Sequence, residues 1–258
     1  MMRRPLTDGT ILITGASSGV GAALALAYAA PGTTLALGGR DAARLEGVAA
    51  ACRAAGAAAT TAAVDVTDRA GMAGWIVDAD RTRPLSLVVA NAGISAGTGR
   101  DGESEAQAQR IFAVNLDGVL NTIHPAIERM RGRRSGQLAL MSSLAGFRGF
   151  PGAPAYCASK AAVRVLGEAL RGALREDGIG VTVICPGYVE SPMTAVNRFP
   201  MPMLMPAERA CRIIRRGLER DRGRIAFPWP VYAAVRLLAA LPVGWTDPLL
   251  RRLPRKEA

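Results

Sequence analysis

Apolar and polar positions along this chain fall into two alternating kinds of segment. Short, almost wholly apolar runs rich in β-branched residues are separated by longer alanine-rich stretches in which polar residues return at helical spacing. The runs near 10–14 (TILIT), 33–38, 60–65, 86–90 (SLVVA), 136–142 (GQLALMS), 180–185 (GVTVIC) and 223–227 read as strands. The stretches near 19–30, 41–55, 68–80, 104–131, 155–176 and 206–220 read as helices. This alternation is the pattern of repeated βαβ units, and strands apolar on both faces suit a parallel sheet that never meets water. The expectation is a doubly wound α/β fold of about seven parallel strands with helices on both faces. Nothing repeats at a fixed period, and no heptads or linkers interrupt the pattern. Residues 1–258 are therefore expected to form one domain, with 225–258 an apolar and basic C-terminal extension.

Composition narrows the setting. Half of the 258 residues are apolar, enough for a sizeable core. Cysteines at 52, 157, 185 and 211 have neither metal-ligand spacing nor that of a small disulfide framework, which suits a reducing compartment and gives no metal site. Met1 to Leu6 carries two arginines but no apolar stretch, and no run approaches the ~18 residues that span a bilayer. A soluble cytoplasmic protein is expected.

The net charge is +11, and Pro206 to Ala258 holds twelve basic against five acidic residues. A basic surface attracts nucleic acid, acidic lipid or anionic ligands. With no aromatic base-stacking motif or recognition helix, nucleic acid is not an expected partner, and a solvated arginine-biased surface is the favoured meaning. Within that bias the only lysines are Lys160 and Lys256. Lysine, unlike arginine, can shift its pKa and move a proton, which singles out Lys160.

Strand 10–14 runs directly into TGASSGVG, Thr14 to Gly21, and then into the helical pattern AALALAYAA. Gly15, Gly19 and Gly21 permit a tight bend, while Ser17, Ser18 and Val20 complete a loop whose N–H groups can face a pyrophosphate at a helix N-terminus. That context makes a Rossmann-like dinucleotide site the reading, although the spacing G-x-x-x-G-x-G differs from G-x-G-x-x-G.

This spacing, with Asp65-Val66, Asn91-Ala92-Gly93, Asn115, Ser143, Tyr156, Lys160 and Pro186-Gly187 following in order, resembles the short-chain dehydrogenase/reductase family over nearly the whole chain. The resemblance implies an NAD(P)-dependent oxidoreductase acting on an alcohol or carbonyl, commonly a homodimer or homotetramer through the helices near 104–131 and 155–176. It implies that Asp65 contacts the adenine edge and Asn91 stabilises the sheet end. Pro186, Gly187 and Val189 would line the nicotinamide side, and Ser191 would stand where many members carry threonine to bond the carboxamide. Gly39 stands where NAD-type members commonly have Asp, and Arg40 follows. An arginine there can pair with a 2′-phosphate, so NADP(H) is the preferred cofactor, with NAD(H) the alternative. The competing reading is that Arg40 merely starts a surface helix capped by Asp41.

Tyr156 and Lys160, four apart in a helical pattern, share a face. A free tyrosine has a pKa near ~10, and a neighbouring cation brings it towards working range. Ser143, thirteen residues before Tyr156, can donate to the same substrate oxygen. The resemblance adds Asn115 as the holder of a water near Lys160. His124, the only histidine, lies within a long helix away from these motifs and reads as structural.

Between Tyr188 and Met205, YVESPMTAVNRFPMPMLM gathers four of the nine methionines and Phe199. These either cover a hydrophobic substrate or fill a core or subunit gap. Beyond 227, a helical run at 231–241 and two tryptophans lead to Arg251, Arg252, Arg255 and Lys256. The segment can lie on an anionic bilayer or equally cover an oligomer interface; ordinary docking is the favoured reading, with peripheral membrane contact through 228–256 the less favoured one. The alternative for the whole protein is a cofactor-binding sensor or scaffold with little turnover.

Overall fold

The computed structural model describes residues 5–96 and 102–251. Among these, β1 (Thr10–Thr14), β2 (Thr34–Gly39), β3 (Ala58–Ala63), β4 (Leu85–Ala90), β5 (Gly136–Met141), β6 (Ile179–Pro186) and β7 (Arg224–Phe227) form one sheet, in the order β3-β2-β1-β4-β5-β6-β7. Every pairing is parallel. The helices are α1 (Gly19–Tyr28), α2 (Ala42–Ala54), α3 (Arg69–Thr82), α4 (Glu105–Phe112), α5 (Gly118–Arg133), α6 (Pro154–Ala173), α7 (Pro192–Ala195), α8 (Ala207–Glu219), α9 (Trp229–Ala240) and α10 (Val243–Leu250).

Strand periodicity explains why the central strands are apolar on both faces. Ile11, Ile13, Leu35, Leu37 and Val89 pack on one face with Leu24 of α1, Leu45 of α2 and Ile214 of α8. The intervening Leu12, Ala36 and Val88 pack on the other with Ile76 of α3, Ile123 of α5 and Val163 of α6. Successive side chains point to opposite faces, so both registers must be apolar when helices cover both. Each such Leu or Ile contributes roughly 1.5–3 kcal/mol by leaving water.

β1 has β2 on one side and β4 on the other, so the winding reverses there. In sheets of this kind, a crevice opens at that switch point beyond the carboxyl ends of the strands.

Three departures from the sequence reading matter. The third strand begins two residues earlier than the expected 60–65: Gly39 pairs with Ala63, and Val64 and Asp65 run off the sheet towards the crevice. Its Ala-Thr composition marks no boundary, and register with β2 decides it. The expected helix 104–131 is divided into α4 and α5 by a π-helical turn, Ala113–Asp117. Short helices α7 and α10 were not anticipated, each opening where a proline occupies or precedes the first helical position.

The segment after β7 docks on the turn Leu144–Gly146 and the loop that follows it. Phe147 meets the Tyr232 ring edge-on at 5.4 Å and is surrounded by the guanidiniums of Arg164 (4.7 Å), Arg224 (5.4 Å) and Arg236 (5.9 Å). Arg148 donates to Thr246 Oγ1 at 2.7 Å, tying α10 to the same loop.

Candidate active site

The crevice is held open by backbone. Gly15 and Gly19 have φ of +65° and +54°, a region that glycine enters without strain. A Cβ on Gly15 would sit 2.9 Å from Ala92 Cα, and one on Gly21 would sit 2.2 Å from Gly15 O. Thr14 Oγ1 accepts the N–H groups of Asn91 (3.0 Å) and Ala92 (3.1 Å), while Asn91 Nδ2 donates to Thr14 O at 2.9 Å. These bonds clamp the ends of β1 and β4 together. No side chain caps α1 at Ser18, so its N-terminus offers N–H groups and partial positive charge to an anion. This cradle of glycines, in which side chains would collide, fits a dinucleotide.

A cavity of about 670 Å³ runs from this turn across the sheet ends. Gly15, Ser17, Ser18, Gly19 and Val20 line it from the turn, and Arg40, Asp65 and Val66 from the ends of β2 and β3. Asn91, Ala92 and Gly93 form its floor. Ser143, Tyr156 and Lys160 stand on the wall beyond, followed by Pro186, Gly187, Val189 and Ser191. Gly21 and Asn115 lie outside the lining. Gly21 lets α1 pack against the turn. The inward-turned Asn115, on the π turn, accepts from Ile94 N–H (2.8 Å) and donates to Ile94 O (2.9 Å) and Ser159 Oγ (3.1 Å).

Tyr156 and Lys160 project from successive turns of α6, with Lys160 Nζ 5.8 Å from the Tyr156 ring centroid. Lys160 is 3% exposed and donates to Met141 O at 2.9 Å. Burial pushes its ammonium down to about 8, because the charged form loses its water. Against the expectation that the neighbouring cation brings it towards working range, burial pushes the Tyr156 phenol up to about 12, with the Ser143 side chain pulling in the opposite direction. Asn115 Oδ1 and Lys160 Nζ both approach Gly93, each 3.2 Å from where its Cβ would be.

At the β2 end, Asp41 caps α2 by accepting from Arg44 N at 3.0 Å, and Arg40 lines the cavity. Arg44 lines it as well. Asp65 accepts from Thr67 N–H (2.9 Å) and Oγ1 (2.8 Å), and the Thr67 N–H bond holds its carboxyl below the usual range despite partial burial. Ser191 caps α7 reciprocally with Thr194, which also lines the cavity.

Residues 9–200 match the family model described as short chain dehydrogenase. The chain belongs to that family. This short-chain dehydrogenase is 38% identical over 246 residues to an uncharacterized oxidoreductase of Myxococcus xanthus, covering 95% of this chain and 97% of the relative. Among solved structures it resembles a short-chain dehydrogenase from Sphingobium yanoikuyae in complex with NADPH, with 25% identity and a TM-score of 0.80 over 96% of this chain and 98% of that one. It also resembles a short-chain dehydrogenase/reductase from Burkholderia phymatum in complex with NAD, with 25% identity and a TM-score of 0.83 over 99% of both chains. The family is one of oxidoreductases on an NAD(P)-binding, Rossmann-like fold.

In this family member the methionine-rich connection divides its labour. Met193 lines the cavity with Phe199, whose ring meets Tyr188 edge-on at 6.2 Å. Met205 is buried in the core, and Met203 is exposed. Sequence reasoning missed Arg44, Thr194, and Val231 and Val235 of α9, all of which line the cavity. Thr194 had a signal in the S-x-x-T spacing of a capping box; the valines had none. His124 is exposed on α5. The four cysteines are buried and free, and among the described residues no cluster of His, Cys, Asp or Glu is placed to hold a metal ion.

Proposed function

We propose that this short-chain dehydrogenase is an NADP(H)-dependent carbonyl reductase and alcohol dehydrogenase for bulky apolar substrates, with Tyr156 as its acid/base. The observation that carries the reading is the placement of Tyr156, Ser143 and a buried Lys160 on the wall of the same cavity as the glycine turn.

When bound, the nicotinamide cofactor supplies or removes the hydride at the carbonyl carbon. Ser143 holds the carbonyl oxygen and favours the charge that develops there. Tyr156, kept as a phenol by burial, delivers its proton to that oxygen as an alcohol forms. Lys160, whose ammonium releases a proton near pH 8, restores it, and Asn115, which approaches the same face of Gly93 as Lys160, holds the water that links Lys160 to solvent. In oxidation each proton movement reverses.

Arg40 supplies a cation for a 2′-phosphate beside Arg44, which is paired with Asp41, and Gly39 offers no carboxylate for a ribose hydroxyl. Asp65 takes the adenine edge, and the Ser191 and Thr194 hydroxyls take the carboxamide. Phe199, Met193, Val231 and Val235 supply the apolar surface for substrate. The chain acts as a single cytoplasmic domain in a homodimer or homotetramer.

Absorbance-followed NADPH and NADH consumption against a panel of aldehydes and ketones, with Tyr156→Phe in parallel, tests this. The expected result is NADPH-preferring turnover of bulky apolar carbonyls that the variant loses. A preference for NADH or for small polar substrates overturns the finer assignment, and turnover that survives in Tyr156→Phe overturns the acid/base.

A further inference from the structure

Helices α9 and α10 are each two-sided. On α9, Val231 and Val235 face the cavity, while Trp229 and Leu237, two helical turns apart on another face, are 72% and 65% exposed. On α10, Thr246 and Leu250 pack inward, while the adjacent stripe of Trp245 and Leu249 is 76% and 55% exposed. Half of the large apolar side chains exposed among the described residues fall between Trp229 and Leu249. Scattered surface apolar residues need no explanation, but a concentration in one short segment marks a contact surface.

Charge selects what covers it. Between Trp229 and Arg251 the cations are Arg236 and Arg251, both exposed, and the single acidic residue, Asp247, stands 3.7 Å from Arg148. The sequence then continues with Arg252, Arg255 and Lys256 against only Glu257; these lie outside the described residues. A second copy of the chain would set cations against cations across a two-fold contact, whereas an anionic bilayer supplies the opposite charge. Tryptophan and arginine together suit the headgroup boundary, where an amphipathic ring or an aliphatic stem is apolar and its tip is wet. The twelve residues of α9 reach only about 18 Å, and no described helix is long and apolar enough to cross a membrane, so the helices lie on the surface.

We infer that α9 and α10 form a docking face for an anionic lipid bilayer, with Trp229, Leu237, Trp245 and Leu249 as its apolar anchors. Docking stands independently of the catalytic reading. Its meaning for substrate rests on that reading: α9 is both a wall of the cavity and a lipid-facing surface, so the cavity opens beside the phase in which an apolar carbonyl compound partitions.

The test is co-sedimentation of the full chain with vesicles of phosphatidylglycerol and phosphatidylcholine, against phosphatidylcholine alone, at low and high salt. Trp229→Ser/Trp245→Ser is run beside it, with NADPH binding and solution oligomeric state measured for both proteins. The expected result is binding to anionic vesicles that weakens with salt, a blue shift of tryptophan emission, and at least tenfold weaker binding in the variant with NADPH affinity and oligomeric state unchanged. Failure of the full chain to bind, equal binding to neutral vesicles, or equal binding by the variant overturns the inference. So does a variant that changes oligomeric state without vesicles, which would assign the face to a contact between copies. Vesicle binding without carbonyl turnover would overturn the catalytic reading alone.

Discussion

Beneath β1 and β4 the cavity wall is mostly backbone: left-handed glycines, the Thr14 hydroxyl joining two strand ends, and the N-terminus of α1. Beneath β6 and α9 the wall is mostly side chains, from Tyr188, Met193 and Phe199 to Val231 and Val235. A backbone wall tolerates almost no substitution, because its shape depends on atoms that every residue shares and on side chains that are missing. A side-chain wall can be recut one residue at a time. One wall is thus fixed by the fold and the other can be reshaped by side chains, and Ser143, Tyr156 and Lys160 stand on the border between the two.

The sharpest way to break the comparison is at that border. Tyr156→Phe is expected to lower kcat by about 10²–10⁴-fold while NADPH affinity, measured by fluorescence titration, is retained. Next comes the buried Lys160. Its folded pKa of about 8 lies below the ordinary lysine value of 10.5, so the unfolded chain holds more protons between those values. Stability of the cofactor-free protein should therefore rise with pH across that window, by about 3 kcal/mol in all. Lys160→Met should flatten the rise in denaturant unfolding at pH 7.5 through 10.5.

At the backbone end, Gly21→Ala would push a methyl group into Gly15 O, and is expected to cost roughly 1–3 kcal/mol in stability and to abolish NADPH binding. Arg40→Ala should reduce the NADPH-over-NADH ratio of kcat/KM by roughly tenfold, the size of one charge-assisted hydrogen bond near the surface. At the side-chain end, Phe199→Ala should raise KM for bulky substrates several-fold, with a change in unfolding free energy below about 1 kcal/mol. An equal loss of stability at Phe199 and Gly21 would erase the distinction between the two walls.

The same contrast governs how much could be read from the chain. Strands covered on both faces, such as β1 with Ile11, Leu12 and Ile13, announce themselves as unbroken apolar runs, because a buried polar residue there needs a partner, as Gln137 finds in Thr182. Gly15 and Gly19 announce a turn because other residues resist their φ values. Val231 and Val235 look like any helical valines, and only the docking of α9 against the turn at Leu144–Gly146 brings them to the cavity. Arg44 is set by the entry angle of α2, which Asp41 fixes by capping. The π turn left no local signal: AVNLD is an ordinary helical string, and its widening answers to the partners that Asn115 finds at Ile94 and Ser159.

That turn imposes a rule on the gene rather than on the residue. One surplus residue is stored between Ala113 and Asp117, and its deletion would let α4 and α5 join into a continuous α-helix. Everything on the N-terminal side would then rotate by about 100° about the axis, carrying Ile111 out of the core. Point changes along this helix pair can accumulate while its length cannot, so the spacing from Ile111 to Val119, both buried, should prove inelastic as the sequence drifts.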